Sequence, residues 1–215
     1  MTKEKGKTGE SEPLRIAPSR YGGHWTVEDW KALDFSAEEG WQRAIDIFED
    51  RIRFRFLDIV EAIQDYEFSG FAVMALDCLL IETLQQFRKG TTETPWGDAE
   101  AYFRDFLTET AFKEHFNCDQ AKKFRDQIRN GILHQAETKS TSRIWIRSAT
   151  PLVRYTPDET GLEINRNLFH QKLVQVFKEY VNALRKNVPP DQDLRRNFRT
   201  KMNHICRAED QPYVE

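Results

Sequence analysis

The sequence predicts a mainly α-helical protein, a helical bundle with about four to five helices. Apolar residues recur every three or four positions over several long segments, which is the spacing of one helix face. Residues that favour helix ends separate these segments, and only one short stretch alternates like a β-strand. Together these patterns favour a bundle with a small β-hairpin insertion before the last long helix.

The first two helices are predicted at about 37–66 and 70–88. Ser36 followed by Glu39 has the spacing of a capping box at the start of the first helix. Ser69 is a candidate cap for the second helix, and Gly90 is a candidate C-terminal stop. Because the second helix is apolar nearly all round, we expect it at the centre of the bundle.

Three further elements follow along the chain. A third helix is predicted at about 98–115, and a fourth at about 120–137 with Asp119 as its cap. A strongly periodic last helix is expected at about 167–186, where a Pro-Pro pair follows. Between the fourth and the last helix, the segment RIWIRSATPLVR, a TPDETG turn and LEIN predict the β-hairpin.

The domain organisation is predicted in three parts. Residues 1–20 are polar and expected to be a disordered tail, and 21–188 form the helical domain. Residues 21–35 are expected to dock on this domain through Trp25 and Trp30. Residues 189–215 are assigned as a basic C-terminal appendage, because 185–207 hold seven basic residues against two acids, 7 − 2 = +5. That charge has two equally favoured interpretations, a solvated helix face or a contact with RNA.

Composition excludes several classes of protein. A net charge of −3 argues against bulk, non-specific affinity for nucleic acid but leaves room for a local basic site. No apolar run approaches the ~18 residues that a membrane span requires, so no membrane contact is expected. The N-terminus lacks the apolar core of a secretion signal, and three widely spaced cysteines favour a reducing, cytoplasmic location.

The most informative segment is RNGILH, from Arg129 to His134, inside the fourth helix. On an ideal helix its outward side carries Arg129, Asn130, Leu133 and His134, with Asn130 and His134 one turn apart. Gly131 falls on the inward side, where it would allow close packing on a neighbouring helix. Leu133 is apolar yet outward, which indicates a partner surface. Arg129 and His134 lie roughly 140° apart, so two facing copies of the helix could form one site more readily than a single copy.

Plainer interpretations of these residues remain. Arg129 could simply pair with Asp126, and His134 could interact with the carbonyl end of its helix. The spacing alone is not specific, because Arg199 and His204 repeat it in the basic segment. That second pair has Thr after Arg and no clear core face, so we interpret it as accidental.

The text around the motif, FRDQIRNGILHQAET, resembles the motif helix of HEPN domains (higher eukaryotes and prokaryotes nucleotide-binding domains), in which Arg, a polar residue and a later His recur. FEDRIRFRFLDIVEAI and ALDCLLIETLQQF also resemble a bacterial, plasmid-type branch of this family, and the similarity is best over about 36–186. It implies a metal-independent endoribonuclease that acts as a toxin or antiphage effector. It also implies a homodimer with a composite site, and an antitoxin or defence-system protein as a partner.

The resemblance carries over to Arg129, Asn130 and His134 as catalytic residues. His134 would act as base or acid, Arg129 would stabilise phosphate charge, and Asn130 would hold the His tautomer or donate to phosphate. Lys122 and Arg125 are the predicted substrate-binding residues, and Leu133 the predicted dimer contact.

Two alternatives stay open beside the nuclease. One is a catalytically inactive HEPN-type module that binds RNA or protein, and the other is a helical interaction protein with an accidental motif. No metal or cofactor is expected, because His115-x-x-Cys118 and His204-x-Cys206 are isolated pairs. Phosphate-binding glycine loops and serine-hydrolase motifs do not occur in the sequence.

Overall fold

Helices dominate the computed structural model, which describes residues 12–146, 151–186 and 192–209. The N-terminal part contains β1 (Arg15–Pro18), β2 (His24–Thr26), α1 (Val27–Lys31), α2 (Glu38–Ile52), a π-helical turn (Arg53–Leu57), α3 (Asp58–Ile63) and α4 (Gly70–Lys89). The middle part contains α5 (Ala99–Glu109), a 3-10 turn (Ala111–Glu114), α6 (Cys118–Lys123), a second π-helical turn (Phe124–Arg129) and α7 (Asn130–Gln135). The remaining elements are β3 (Arg143–Trp145), β4 (Val153–Tyr155), β5 (Leu162–Asn165), α8 (Arg166–Lys186) and α9 (Gln192–Ile205).

Helix α4 is the element on which most of the others pack. It contacts α3, α5, α7, α8 and α9 as well as β3. By length and composition alone α4 is long and apolar enough to cross a membrane, whereas the sequence analysis expected no segment of that kind. Core helices pass the same test, and half of the apolar window in α4 is buried against its neighbours.

Two groups of aromatic rings fill the core on either side of the bundle. One surrounds Phe48 of α2, whose ring centroid lies 4.6 Å from that of Phe87 and 5.4 Å from that of Phe198. The other surrounds Phe169 of α8, which stacks on Phe124 with the centroids 5.0 Å apart and an interplanar angle of 11°. Such ring pairs stabilise a core beyond the area that they bury.

The helix boundaries agree with prediction better than the capping residues do. Gly90 ends α4 at φ 70°, as its sequence position predicts. Ser36 does not cap the first helix, because its hydroxyl and backbone N–H both donate to Asp34. Ser69 occupies the predicted N-cap position of α4, but its side chain makes no capping bond, since its hydroxyl donates to the carbonyl of Tyr66 and accepts from Arg166.

The sheet near the C-terminal half has three short strands in the order β3-β5-β4. β4 and β5 pair antiparallel, on either side of the predicted TPDETG turn. β3 pairs with the other side of β5 in a parallel orientation, which the sequence pattern did not predict. Part of the segment between β3 and β4, 147–150, lies outside the described residues.

The basic segment assigned as an appendage contributes α9 to the same core. Phe198, Met202 and Cys206 are fully buried there, and the indole N–H of Trp30 donates to Asn203 at 2.9 Å. The predicted N-terminal boundary also differs from the fold, because β1 lies at Arg15–Pro18, inside the segment predicted to be disordered. The first eleven residues lie outside the described part of the chain.

Candidate functional site

The predicted motif lies on one continuous helical segment made of α6, the second π-helical turn and α7. Its N-cap is Asn117 rather than the predicted Asp119. The Asn117 side chain accepts from the Gln120 backbone N–H, and the Gln120 side chain accepts from the Asn117 N–H. This reciprocal pair is a capping box, and it satisfies two donors at the start of the helix.

The widened turn ends at the motif. The backbone N–H of Asn130 donates to the carbonyl of Arg125, five residues earlier, instead of the usual four. Single π-helical turns inside α-helices often occur at functional sites, because they change the direction of the side chains around them. In this chain the turn ends at Arg129, and regular α-helix begins again at Asn130.

Gly131 permits a close return of the chain after the helix. A Cβ at this position would lie 2.4 Å from the carbonyl oxygen of Glu137 and 3.1 Å from the Cα of Thr138. The neighbour at Gly131 is therefore the segment that leaves the helix, not a neighbouring helix as the sequence analysis expected. Ala136 makes this return by adopting a left-handed conformation, with φ 52°.

The inward face of the motif helix is as predicted. Ala121, Phe124 and Ile128 are fully buried, and Ile132 and Gly131 are also buried. The helix is thus anchored in the core, and its opposite face carries the remaining motif side chains toward the surface.

Arg129 is held by neighbours on three sides. Its Nη2 donates to Glu82 Oε2 at 2.9 Å, and its Nη1 donates to Asn130 Oδ1 at 3.0 Å. Its guanidinium also lies 5.8 Å from the ring centroid of Phe103 on α5. The Arg129 side chain is only 19% exposed as a result.

Arg129 does form an ion pair, but its partner is not Asp126, as the plainer interpretation predicted. Asp126 pairs with its neighbour Arg125 at 2.6 Å, so the carboxylate that meets Arg129 comes from α4 instead. A charged side chain that is mostly removed from water requires such a partner.

His134 lies one turn after Asn130 and is exposed to solvent. Its imidazole has no hydrogen-bond partner among residues 12–146, 151–186 and 192–209, so neither ring nitrogen is engaged by these residues. Both ring nitrogens are therefore accessible to a ligand at the surface.

The two predicted substrate-binding residues, Lys122 and Arg125, differ in how available their side chains are to a ligand. Lys122 is exposed on α6 and makes no ion pair within the described part of the chain. Arg125 is half-buried and engaged with Asp126, while its Nε is buried without a partner among these residues. Lys122 is therefore free to contact a ligand, whereas Arg125 would have to leave Asp126.

By the apolar surface beside the motif we mean the side chains of Leu79 on α4 and Leu133 on α7, which are 45% and 49% exposed. Each leucine lies about one helical turn from the Arg129–Glu82 pair along its own helix, Leu79 before Glu82 and Leu133 after Arg129. Exposed apolar side chains beside polar groups are typical of partner contacts.

A second buried polar pair lies on α4, one helical turn and a half from Glu82. Asp77 Oδ1 is 2.8 Å from His170 Nδ1, and both side chains are buried. Burial raises the pKa of the Asp77 carboxyl, and the hydrogen bond from His170 opposes this effect. Burial likewise raises the pKa of the neighbouring Cys78 thiol, which is fully enclosed and therefore unreactive.

The sequence analysis did not identify Glu82 as part of the site. A signal was nevertheless present, because Asp77 and Glu82 are the only acids in the otherwise apolar stretch of α4. Acids in such a helix need cationic or hydrogen-bonding partners, which here are His170 and Arg129. The second sequence pair does not form a comparable site, since Arg199 is buried against Phe35 and His204 contacts Glu209.

No group of three or more His, Cys, Asp or Glu side chains in the described ranges is arranged to hold a metal ion. Comparison of the chain with known protein families, curated proteins and solved structures finds no match.

Proposed function

We propose that the protein is an endoribonuclease that needs no metal and uses Arg129, Asn130 and His134 as its catalytic residues. The observation that carries this proposal is the arrangement of the three side chains on the outward face of one core-anchored helix. The His134 imidazole, which has no partner in the described part of the chain, lies there one turn from Asn130, and the guanidinium of Arg129 is fixed by its neighbours. The resemblance of the motif helix to HEPN domains supports the same activity.

Cleavage of RNA without a metal needs a base for the 2′-hydroxyl, positive charge or donors for the phosphate oxygens, and a proton for the leaving 5′-oxygen. His134 serves as the base or the acid, because its imidazole is exposed and its ring nitrogens have no partner among the described residues. Arg129 and Asn130 bind the phosphate oxygens, whose negative charge increases in the transition state. The expected product is a 2′,3′-cyclic phosphate.

The proposed active form is a homodimer in which two motif helices face each other. Leu79 and Leu133 support this form, because both are apolar and exposed and each lies about one helical turn from the Arg129–Glu82 pair along its own helix. A second copy would remove the leucines from water and would bring a second His134 near the first Arg129. The proposed biological role is that of a cytoplasmic toxin or antiphage effector, restrained by an antitoxin or defence-system partner.

The test is cleavage of total RNA and tRNA in EDTA by the purified protein and by the R129A/H134A variant. We expect the unmodified protein alone to leave cyclic phosphate ends. His24→Ala is the matched control, because His24 is equally exposed and lies outside the motif helix. Cleavage that is retained in the double variant would refute the assignment of these residues.

A catalytically inactive RNA- or protein-binding module is the second candidate. It is favoured by one observation, that Glu82 and Asn130 already occupy both terminal nitrogens of Arg129. This candidate predicts no cleavage by any variant, together with binding of RNA or of a partner protein that Lys122→Ala weakens.

A further inference from the structure

The carboxylate of Glu82 fixes a guanidinium that in turn fixes an amide. Glu82 Oε2 accepts from Arg129 Nη2 at 2.9 Å, and Asn130 Oδ1 accepts from Arg129 Nη1 at 3.0 Å. The side chains of Glu82 and Arg129 are both about one-fifth exposed, at 22% and 19%, so water competes weakly for this contact.

The orientation of the Asn130 amide follows from chemistry. A guanidinium has N–H donors and no acceptor, so the atom of Asn130 that meets Arg129 must be the carbonyl oxygen. The amide nitrogen is therefore turned away from Arg129. Within the described ranges its two N–H donors have no protein partner, and the residue is half-exposed beside His134.

We propose that Glu82 is a positioning residue of the ribonuclease site, which acts through Arg129 to hold Asn130 with its amide N–H donors directed at the phosphate. This inference rests on the proposed function. Of the two roles of Asn130 that the sequence left open, it assigns donation to the phosphate, because the carbonyl accepts from Arg129 while both amide N–H donors have no partner among the described residues.

Arg129 and Asn130 contribute to this arrangement in different ways. Arg129 contacts the phosphate and, because Glu82 holds its guanidinium in place, also fixes the Asn130 amide, whose N–H donors are then directed at the phosphate oxygens. Donors that are already oriented need no rearrangement when charge develops in the transition state. Displacement of such a group by even 1 Å can lower a rate by roughly 100-fold.

The first arm of the test is kinetic and compares Glu82→Ala, Glu82→Gln and Glu61→Ala. We expect Glu82→Ala to lower kcat by roughly 100-fold with little change in KM, because the phosphate donors are misplaced while most substrate contacts remain. Glu82→Gln keeps an acceptor of the same reach and should recover part of the loss. Glu61 is exposed on α3 and makes no ion pair among the described residues, so its variant should match the unmodified protein.

The second arm does not depend on activity. The side-chain amide signals of Asn130 are identified in nitrogen-15 NMR spectra as those lost in Asn130→Asp. Glu82→Ala should shift both amide proton signals, and Glu61→Ala should leave them unchanged.

The outcomes separate the two proposals. If the unmodified protein does not cleave RNA, the proposed function fails, and with it the positioning role of Glu82 in that function, whatever the NMR spectra show. If it cleaves RNA but Glu82→Ala leaves kcat or the Asn130 amide signals unchanged, the positioning role is refuted while the proposed function stands.

Discussion

Charged side chains inside this bundle are tied to partners from distant parts of the sequence. Arg129 meets Glu82, His170 meets Asp77, and the buried Arg195 donates to both carboxylate oxygens of Glu38. A charge removed from water is tolerated only when such a partner is present. Each of these pairs therefore fixes one helix relative to another, besides any role in chemistry.

The Asp77–His170 pair predicts an unusual pH dependence of stability. Because the pKa of Asp77 is raised in the folded chain, this group stabilises the fold most below its unfolded pKa. Its contribution is lost as the pH rises through the folded pKa. Asp77→Asn removes the titrating group and keeps an acceptor for His170.

We therefore expect the free energy of unfolding of Asp77→Asn to change less with pH than that of the unmodified protein as the pH rises above about 4, the ordinary pKa of an Asp in the unfolded chain. Urea unfolding at several pH values measures this. Asp65→Asn is the control, because Asp65 is exposed. Parallel pH profiles for Asp77→Asn and the unmodified protein would contradict the assignment.

At the scale of the secondary-structure elements, the motif helix differs from a regular α-helix at both ends of the motif. A π-helical turn precedes Asn130, and the left-handed Ala136 follows Gln135. The absence of a side chain at Gly131 lets the chain turn back over the helix at once. These features bring the exposed end of the helix, with His134, close to a sharp turn.

Ala136→Gly is expected to stabilise the protein. Ala136 has φ 52°, a conformation that alanine adopts at a penalty of about 1 kcal/mol or more and glycine adopts freely. We expect a gain of about 0.5–1 kcal/mol in the free energy of unfolding, measured by urea titration. The same substitution at Ala101, inside α5, should instead destabilise by about 1 kcal/mol. Equal effects at both positions would show that backbone conformation is not the cause.

At the scale of the whole molecule, α9 and the N-terminal segment enclose one side of the bundle together. Trp30 is fully buried and donates to Asn203, and Arg199 lies 4.3 Å from the ring centroid of Phe35. Lys201 donates to the carbonyl of Thr92. Since Arg195, Arg199 and Lys201 are buried by these contacts, three of the basic residues considered for RNA binding act within the fold.

Removal of a core ring from α9 should destabilise the entire fold. Phe198→Ala removes a fully buried ring that contacts Phe48 and Phe87, and we expect a loss of about 3–5 kcal/mol in the free energy of unfolding. Arg196→Ala, at an exposed position of the same helix, should change it by less than about 0.5 kcal/mol. Chemical unfolding followed by circular dichroism measures both. A loss below about 1 kcal/mol for Phe198→Ala would mean that α9 is peripheral to the core.

The proposed dimer makes a separate prediction. Leu79→Asp and Leu133→Asp each place a charge in the apolar surface, so each should convert a dimer into a monomer in sedimentation experiments. Ile59→Asp is the control, because Ile59 is similarly exposed but lies on α3. An unmodified protein that is monomeric at every concentration would refute the dimer.

Much of the local structure was predictable from the printed sequence, because helix periodicity and helix ends depend on neighbouring residues. The position of the motif, its inward face at Phe124 and Ile128, and the stop at Gly90 follow from such patterns. Capping was less predictable, since Asn117, Asp119 and the serines offer similar groups within a few residues.

The partners of the motif were set by folding. Nothing in the spacing of residues places Glu82 beside Arg129, 47 positions away, or buries α9 against Trp30. Such contacts depend on how helices of known character pack together, and many arrangements satisfy the same local pattern. The sequence therefore carries the helices and the Arg–Asn–His motif, whereas the tertiary packing decides that Arg129 is paired and that His134 has no partner among the described residues.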